Sequence, residues 1–72
     1  MNPELTIVLP AYREEGTIEI CLRRLVSSLD DLGISFIARV VVDGPGDRTA
    51  EIVRKFPDDR ISVIELAQNV GK

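Results

Sequence analysis

The sequence feature that most constrains the fold is an alternation between short apolar runs and segments whose apolar residues recur with helical periodicity. Residues 5–9, 36–42 and 61–66 form short apolar runs rich in β-branched side chains. Runs of this length and composition are typical of strands. The middle run is almost continuously apolar and ends in Val40-Val41-Val42, which favours a strand covered on both faces of a parallel sheet.

A helical period separates the first two runs. Its apolar residues recur three, four and seven positions apart and predict a helix that begins at Glu14 or Thr17. The predicted stripe consists of Ile18, Leu22, Leu25, Val26, Leu29 and Leu32. Gly33 stands where such a helix commonly ends. We expect Cys21, within the same segment, to be a small buried residue.

A turn and a shorter helix follow the middle run. Residues 43–46 contain two glycines and a proline, which predict a turn. We expect Asp47 to cap a second helix that runs to about Lys55. The apolar side of this helix comprises Ile52, Val53 and Phe56.

The predicted order of elements is therefore β-α-β-α-β. This alternation defines an α/β fold with a parallel sheet and right-handed crossovers. Ligands of such sheets bind at the carboxyl ends of the strands. Residues 10–15, 43–47 and 67–72 follow those ends, with 10–13 predicted as a loop. We expect all three segments to lie on one edge of the sheet.

Composition excludes several classes of function. The 72 residues suffice for one domain, residues 1–72, and a net charge of −3 argues against a nucleic-acid-binding protein. The absence of histidine excludes a Ser-His-Asp triad and a His-ligated zinc site. No apolar run approaches the ~20 residues that span a bilayer, and no signal-peptide pattern is present, so the expected location is the cytoplasm.

Two glycine-containing segments resemble nucleotide-binding motifs only superficially. Gly71-Lys72 matches the end of a P-loop, but position 66 is Leu where that motif has glycine. Gly44 and Gly46 begin like a dinucleotide fingerprint, but they follow the second strand, and its sixth position is Thr49. Neither motif is complete.

Several polar and aromatic residues near the strands have two interpretations each. Asp43 is either a turn former or a ligand contact, whereas Asp47 favours a helix cap. Tyr12 either stacks on a nucleobase or packs half-buried. Arg39 interrupts an apolar strand, so its guanidinium must reach water at a free face or edge.

Three ordered segments resemble a known family. Residues 6–15 read TIVLPAYREE, residues 41–49 read VVDGPGDRT, and residues 69–72 read NVGK. Together they resemble the patterns VxxPxYNEE, VVDDGSxDxT and NxGKG of family 2 glycosyltransferases, which have the GT-A fold. The resemblance covers essentially the whole chain, and its nearest branch is the dolichyl- or polyprenyl-phosphate sugar transferases.

The resemblance implies a single truncated unit, residues 1–72, that forms a three-layer Rossmann-like half of the GT-A fold. It implies a UDP- or GDP-sugar donor and, for a complete enzyme, a lipid-phosphate acceptor at the cytoplasmic face of a membrane. The residues that it assigns to the nucleotide pocket are Pro10, Ala11, Tyr12, Glu14, Asp43, Asp47, Gly71 and Lys72. Thr49 would shape the start of the second helix, and Asn69 would join the last loop.

The sequence also departs from the family pattern. Arg13 replaces Asn, Pro45 replaces Ser, and the paired aspartates are reduced to one. An ungapped alignment places Val42 at the first aspartate and Asp43 at the second, whereas a one-residue gap makes Asp43 the first.

The catalytic part of the family lies further along its chain. The resemblance implies a divalent metal, Mg²⁺ or Mn²⁺, held by an Asp-x-Asp motif there, and an acceptor-side carboxylate beyond it. We therefore expect no catalytic residue, no metal ligand and no efficient transfer from this chain alone.

The alternative function is non-enzymatic. A truncated β-α-β-α-β unit leaves a sheet edge and apolar helix faces uncovered, and such surfaces favour self-association. The chain would then act as a homo-oligomeric scaffold.

Overall fold

The computed structural model describes residues 2–44 and 47–66, and the five elements follow in the predicted order. Strand β1 (Leu5–Ala11) leads into helix α1 (Ile18–Asp31), and strand β2 (Phe36–Asp43) leads into helix α2 (Thr49–Lys55). Strand β3 (Ile61–Leu66) completes the described part. The α/β class and the β-α-β-α-β order are confirmed.

The three strands form one parallel sheet in the order β1-β2-β3. Strand β2 is central, with Leu5 opposite Phe36 at one end of β1 and Ala11 opposite Val42 at the other. On its second side, β2 pairs Asp43 with Leu66 of β3. The carboxyl ends of all three strands therefore lie at the same edge, as the sequence predicts.

The core lies between the sheet and its two helices. Alternate residues of β2 (Phe36, Ala38, Val40 and Val42) are buried, because successive side chains of a strand point to opposite faces. Leu22 of α1 and Val53 of α2 pack into the same core, and the two helices contact each other. Both helices therefore cover one face of the sheet, so the described residues supply two of the three expected layers.

The opposite face of the sheet is more exposed. Val8 of β1 is 61% exposed, and Ile64 of β3 is 39% exposed. Arg39 of β2 lies on this face between Val8 and Ser62 and is exposed, as the sequence predicts. We call this surface the open face.

Helix α1 ends in a Schellman motif at Gly33. The Gly33 N–H donates to the Asp30 carbonyl (3.0 Å), and the Ile34 N–H donates to the Leu29 carbonyl (3.0 Å). Gly33 adopts φ +70°, a left-handed conformation that glycine tolerates without a Cβ penalty. The predicted end of the first helix is confirmed.

Arg60 joins two segments at the amino edge of the sheet. Its guanidinium donates to Asp30 at the end of α1 (2.8 Å) and to Asp58 before β3 (2.8 Å), and it lies over the ring of Phe36. The hydrogen bonds from Arg60 lower the pKa of both carboxyls. This cluster attaches α1 to the segment that enters β3.

Two sequence predictions about the first helix are wrong. Cys21 is exposed and lines a shallow groove of about 370 Å³ with Leu9 and Leu25, and Leu32 is 70% exposed. Helical spacing does not show where the sheet beneath a helix ends. Cys21 lies beside the β1 edge, and Leu32 lies past the last helical turn.

The predicted loop at residues 10–13 is also wrong in part, because Pro10 and Ala11 belong to β1. Proline is tolerated in an edge strand, where an N–H can point away from the sheet without losing a hydrogen bond. Within the described sheet β1 is such an edge. The loop therefore begins at Tyr12.

Candidate functional site

The candidate site lies where β1 and β2 end. Ala11 and Val42 form the last register pair of these strands, and Tyr12 and Asp43 follow them directly. Gly44 then turns the chain with φ +84°, a conformation that favours glycine. The segments after the two strands thus leave the sheet side by side.

Three hydrogen bonds tie these segments together. The Glu14 N–H donates to Oγ1 of Thr49 (2.8 Å), and the Glu15 N–H donates to Oδ2 of Asp47 (3.2 Å). In the reverse direction, the Arg48 N–H donates to Oε1 of Glu15 (2.9 Å). We call these five residues the loop clamp. It joins residues 32 to 35 positions apart in the sequence.

Thr49 is the centre of the loop clamp. It is fully buried, and its hydroxyl donates to Oδ1 of Asp47 (2.6 Å) while it accepts from Glu14. The Thr49 N–H, the first of α2, donates to the same Asp47 oxygen (3.0 Å). Thr49 therefore connects the helix start to the loop after β1.

Asp47 has a structural role in this arrangement. Its two oxygens accept from the Thr49 hydroxyl, the Thr49 N–H and the Glu15 N–H. The Thr49 hydroxyl and these backbone bonds lower the pKa of the Asp47 carboxyl, because hydrogen bonds to the charged form favour it. The predicted cap of α2 is therefore wrong by one residue, because Arg48 occupies the N-cap and Asp47 precedes it, although the Asp47 side chain still binds the Thr49 N–H.

Tyr12 and Arg13 form an exposed pair at the same edge. The Tyr12 side chain is 57% exposed, and its hydroxyl accepts a hydrogen bond from Nε of Arg13 (3.1 Å). The guanidinium carbon of Arg13 lies 5.4 Å from the centre of the Tyr12 ring. Arg13 has φ +54° and is the one non-glycine residue of the described ranges with a positive φ.

The structure places the predicted pocket residues in different environments. Ala11 is buried in the core and Pro10 is on the open face, whereas Tyr12, Glu14 and Asp43 are exposed at the strand ends. Val42 is buried beneath the helices, so Val42 and Asp43 point to opposite faces of the sheet. The remaining predicted residues, Asn69, Gly71 and Lys72, lie outside the described residues.

Sequence reasoning missed the roles of Glu15 and of the Arg13 backbone. No role is predicted for Glu15 from the sequence, but its backbone and side chain both bind the β2–α2 segment. The family asparagine at position 13 was an available signal, because asparagine tolerates positive φ better than most residues. No local pattern signals the partners of Glu15.

Three acidic residues of the site, Glu14, Glu15 and Asp47, accept hydrogen bonds within the fold. The Asp47 oxygens already accept three hydrogen bonds, and Oε1 of Glu14 accepts one from the Thr17 hydroxyl (3.1 Å). Among residues 2–44 and 47–66, no three His, Cys, Asp or Glu side chains come together as a metal site would require. In the same ranges, no helix has the length and apolar character needed to cross a membrane.

Comparison with known proteins identifies relatives along almost the whole chain. Residues 6–72 match the model of the family described as glycosyl transferase family 2. An undecaprenyl-phosphate 4-deoxy-4-formamido-L-arabinose transferase of Edwardsiella ictaluri is 31% identical over 94% of the chain. An uncharacterized glycosyltransferase of Synechocystis is 35% identical over 100% of the chain, and mouse dolichyl-phosphate beta-glucosyltransferase is 28% identical over 96%. The chain spans 22–24% of the length of these three relatives.

Proposed function

The chain belongs to glycosyl transferase family 2, and we propose that it forms the part of such an enzyme that binds a nucleotide-sugar donor. The observation that carries this proposal is the loop clamp. It holds the segments after β1 and β2 together at the sheet edge where parallel α/β folds bind ligands. Tyr12 and Asp43 emerge side by side at that edge.

The exposed side chains of Tyr12 and Asp43 offer the contacts by which a nucleoside is bound. The Tyr12 ring offers a face on which a base stacks, an interaction worth ~1–3 kcal/mol. The Asp43 carboxylate accepts hydrogen bonds from a base or a ribose. Pro10 and Glu14 flank these groups, and Gly71 and Lys72 would complete the pocket from the last segment.

We propose UDP- or GDP-sugars as donors, with transfer to a lipid phosphate by a complete enzyme. The names of two relatives support the acceptor class, since one is an undecaprenyl-phosphate transferase and the other a dolichyl-phosphate transferase. Such an enzyme would work at the cytoplasmic face of a membrane. Family members generally use a divalent metal, whose role is to offset the charge of the leaving diphosphate.

The share of the family that this chain represents bears on the transfer step. The chain spans 22–24% of the length of the three relatives, and the metal-binding motif and acceptor-side carboxylate that the resemblance implies lie further along the family's chain. We therefore propose that this chain alone binds the donor nucleotide but does not transfer the sugar.

An amide NMR titration with UDP and GDP, with and without Mn²⁺, tests the proposal. We expect saturable shifts at Tyr12, Asp43 and Gly71 and none at Ile20, an exposed residue of α1. Tyr12→Phe should keep base stacking, whereas Tyr12→Ala should weaken binding by about tenfold or more. A dispersed spectrum without shifts would overturn the proposal.

The open face favours a second candidate function. Val8, Ile64 and Leu66 are exposed apolar residues on it, and in the described sheet β1 and β3 each have a neighbour on one side only. Exposed edges and apolar patches favour pairing between copies, as a self-associating scaffold would require. Sedimentation equilibrium decides this candidate: a concentration-independent monomer mass contradicts it, and a defined oligomer supports it.

A further inference from the structure

We propose that Arg13 binds the phosphate groups of the donor nucleotide, an inference that rests on the proposed function. The starting observation is its backbone. Arg13 holds φ +54°, in a region that an L-residue with a long side chain rarely occupies. Unfavourable backbone conformations persist where the surrounding structure imposes them, and they concentrate at functional sites.

The position of the side chain gives the second step. Nε of Arg13 donates to the Tyr12 hydroxyl, which fixes the guanidinium beside the exposed ring. This bond uses one of the five N–H donors of the guanidinium. The outer nitrogens have the fork geometry that binds a phosphate through two parallel hydrogen bonds.

The charges around the site give the third step. Of the ion pairs between described residues, none includes Arg13, whereas Arg48 pairs with Glu51 through its Nε (3.3 Å). Two carboxylates of the same edge are engaged within the loop clamp, since Glu15 and Asp47 accept hydrogen bonds there. Among the described residues, Arg13 is therefore a cationic group that this edge presents to an anion, and its charge also acts on the Asp47 carboxyl.

The neighbouring aromatic side chain relates this cation to a nucleotide. A nucleotide whose base stacks on Tyr12 would lie beside the Arg13 guanidinium, because the two side chains are adjacent and in contact. In this arrangement Tyr12 contacts the base of the nucleotide, and Arg13 contacts its phosphates. We infer that Arg13 adds affinity for nucleotides over nucleosides.

The test compares UDP with uridine, which shares the base and ribose but has no phosphate. The variant is Arg13→Asn, because asparagine tolerates the left-handed backbone conformation. This variant therefore loses only the charge and the length of the arginine side chain. We expect Arg13→Asn to weaken UDP binding by about tenfold or more and to leave uridine binding unchanged. Arg13→Lys should keep part of the affinity, and Arg24→Gln, an exposed arginine on α1, should change neither ligand.

Each outcome of isothermal titration has a defined meaning. Equal weakening of UDP and uridine by Arg13→Asn would overturn the inference, since Arg13 would then act only by ordering Tyr12. Unchanged binding of both ligands would overturn it as well and leave the proposed function intact. A wild-type chain that binds neither ligand would overturn the proposed function itself. Inorganic pyrophosphate, tested alone, should bind more weakly than UDP and should compete with it.

Discussion

Thr49 is the residue that most directly links the fold to the candidate site. It is buried, yet its hydroxyl is fully used, since it donates to Asp47 and accepts from the Glu14 N–H. A buried polar group with all its partners stabilises one arrangement of its surroundings, whereas one with a missing partner is costly. The loop that carries Tyr12 and Arg13 is held through this side chain.

Replacing Thr49 by valine should therefore disturb both stability and the site. The change keeps the shape of the side chain but leaves the Glu14 N–H without its acceptor. We expect the free energy of unfolding to fall by about 1–3 kcal/mol. Hydrogen exchange at the Glu14 amide should also accelerate.

Two controls isolate the hydroxyl. Thr6→Val, at an exposed position of β1, should change stability by less than about 0.5 kcal/mol. Thr49→Ser keeps the hydroxyl and should leave the Glu14 amide protected. Equal effects of Thr49→Val and Thr6→Val would contradict the role assigned to Thr49.

Helix α1 shows how one element is positioned by its ends as well as by its apolar stripe. The buried residues of the stripe are Ile18, Leu22 and Leu29. The Schellman motif at Gly33 sets the direction in which the chain leaves the helix. That direction leads into Phe36, the first residue of β2 and a fully buried one. The helix end thus fixes where the central strand begins.

Gly33→Ala should destabilise the protein through its backbone alone. No atom lies within 4 Å of a Cβ built at Gly33, so the cost comes from φ +70° and should be about 1–2 kcal/mol. Gly16→Ala is the matched control, since its Cβ also meets nothing within 4 Å and its φ lies outside the left-handed range. Thermal unfolding should separate the two variants, and equal stabilities would contradict the assigned role of Gly33.

At the scale of the whole molecule, acidic side chains accept stabilising hydrogen bonds at three separate places. Asp30 and Asp58 receive hydrogen bonds from Arg60 at the amino edge, and Asp47 receives them from Thr49 at the carboxyl edge. Glu51 receives them from Lys55 and Arg48 on α2. In all four carboxyls the pKa lies below the ordinary value, which is 3.8 for Asp and 4.5 for Glu.

Stability should consequently fall on acidification. Each of these carboxyls binds its proton less tightly in the folded chain than in the unfolded chain. Their contribution to the free energy of unfolding is therefore complete at a pH above the ordinary pKa values. It is lost as the pH falls through the lower pKa values of the folded state. Urea midpoints measured from about pH 7 to about pH 3 should decrease, and Asp47→Asn should show a shallower decrease. Parallel curves for the two proteins would show that Asp47 does not contribute.

The sequence predicted those parts of the fold that depend on local periodicity. The strand at Ile61–Leu66 and the end of the first helix at Gly33 are each encoded within a few residues, whereas the cap of α2 lies at Arg48, one residue after the predicted Asp47. The exposure of Cys21 and Leu32 was not predictable in this way, because it depends on how far the sheet extends beneath α1.

The position of the candidate site was predictable, but its internal bonds were not. Strand ends converge in a parallel sheet, which places Tyr12, Glu14 and Asp43 at one edge, whereas their assignment to a nucleotide pocket comes from the resemblance and stays a prediction. The partners of Glu15 depend on how two loops more than thirty residues apart meet, and no local pattern contains that information. The positive φ of Arg13 is seen in the structure, and the asparagine of the family pattern at this position was a signal for it.

The loop clamp has a consequence for the order in which the molecule assembles. Its hydrogen bonds connect residues 32 to 35 positions apart, so forming them while the intervening chain is unfolded costs loop-closure entropy that they do not offset alone. Pairing of β1 with β2 and docking of α1 must first bring the two loops together. Protection of the Glu14 amide should therefore appear late in refolding, and the candidate site becomes competent only when the surrounding fold is nearly complete.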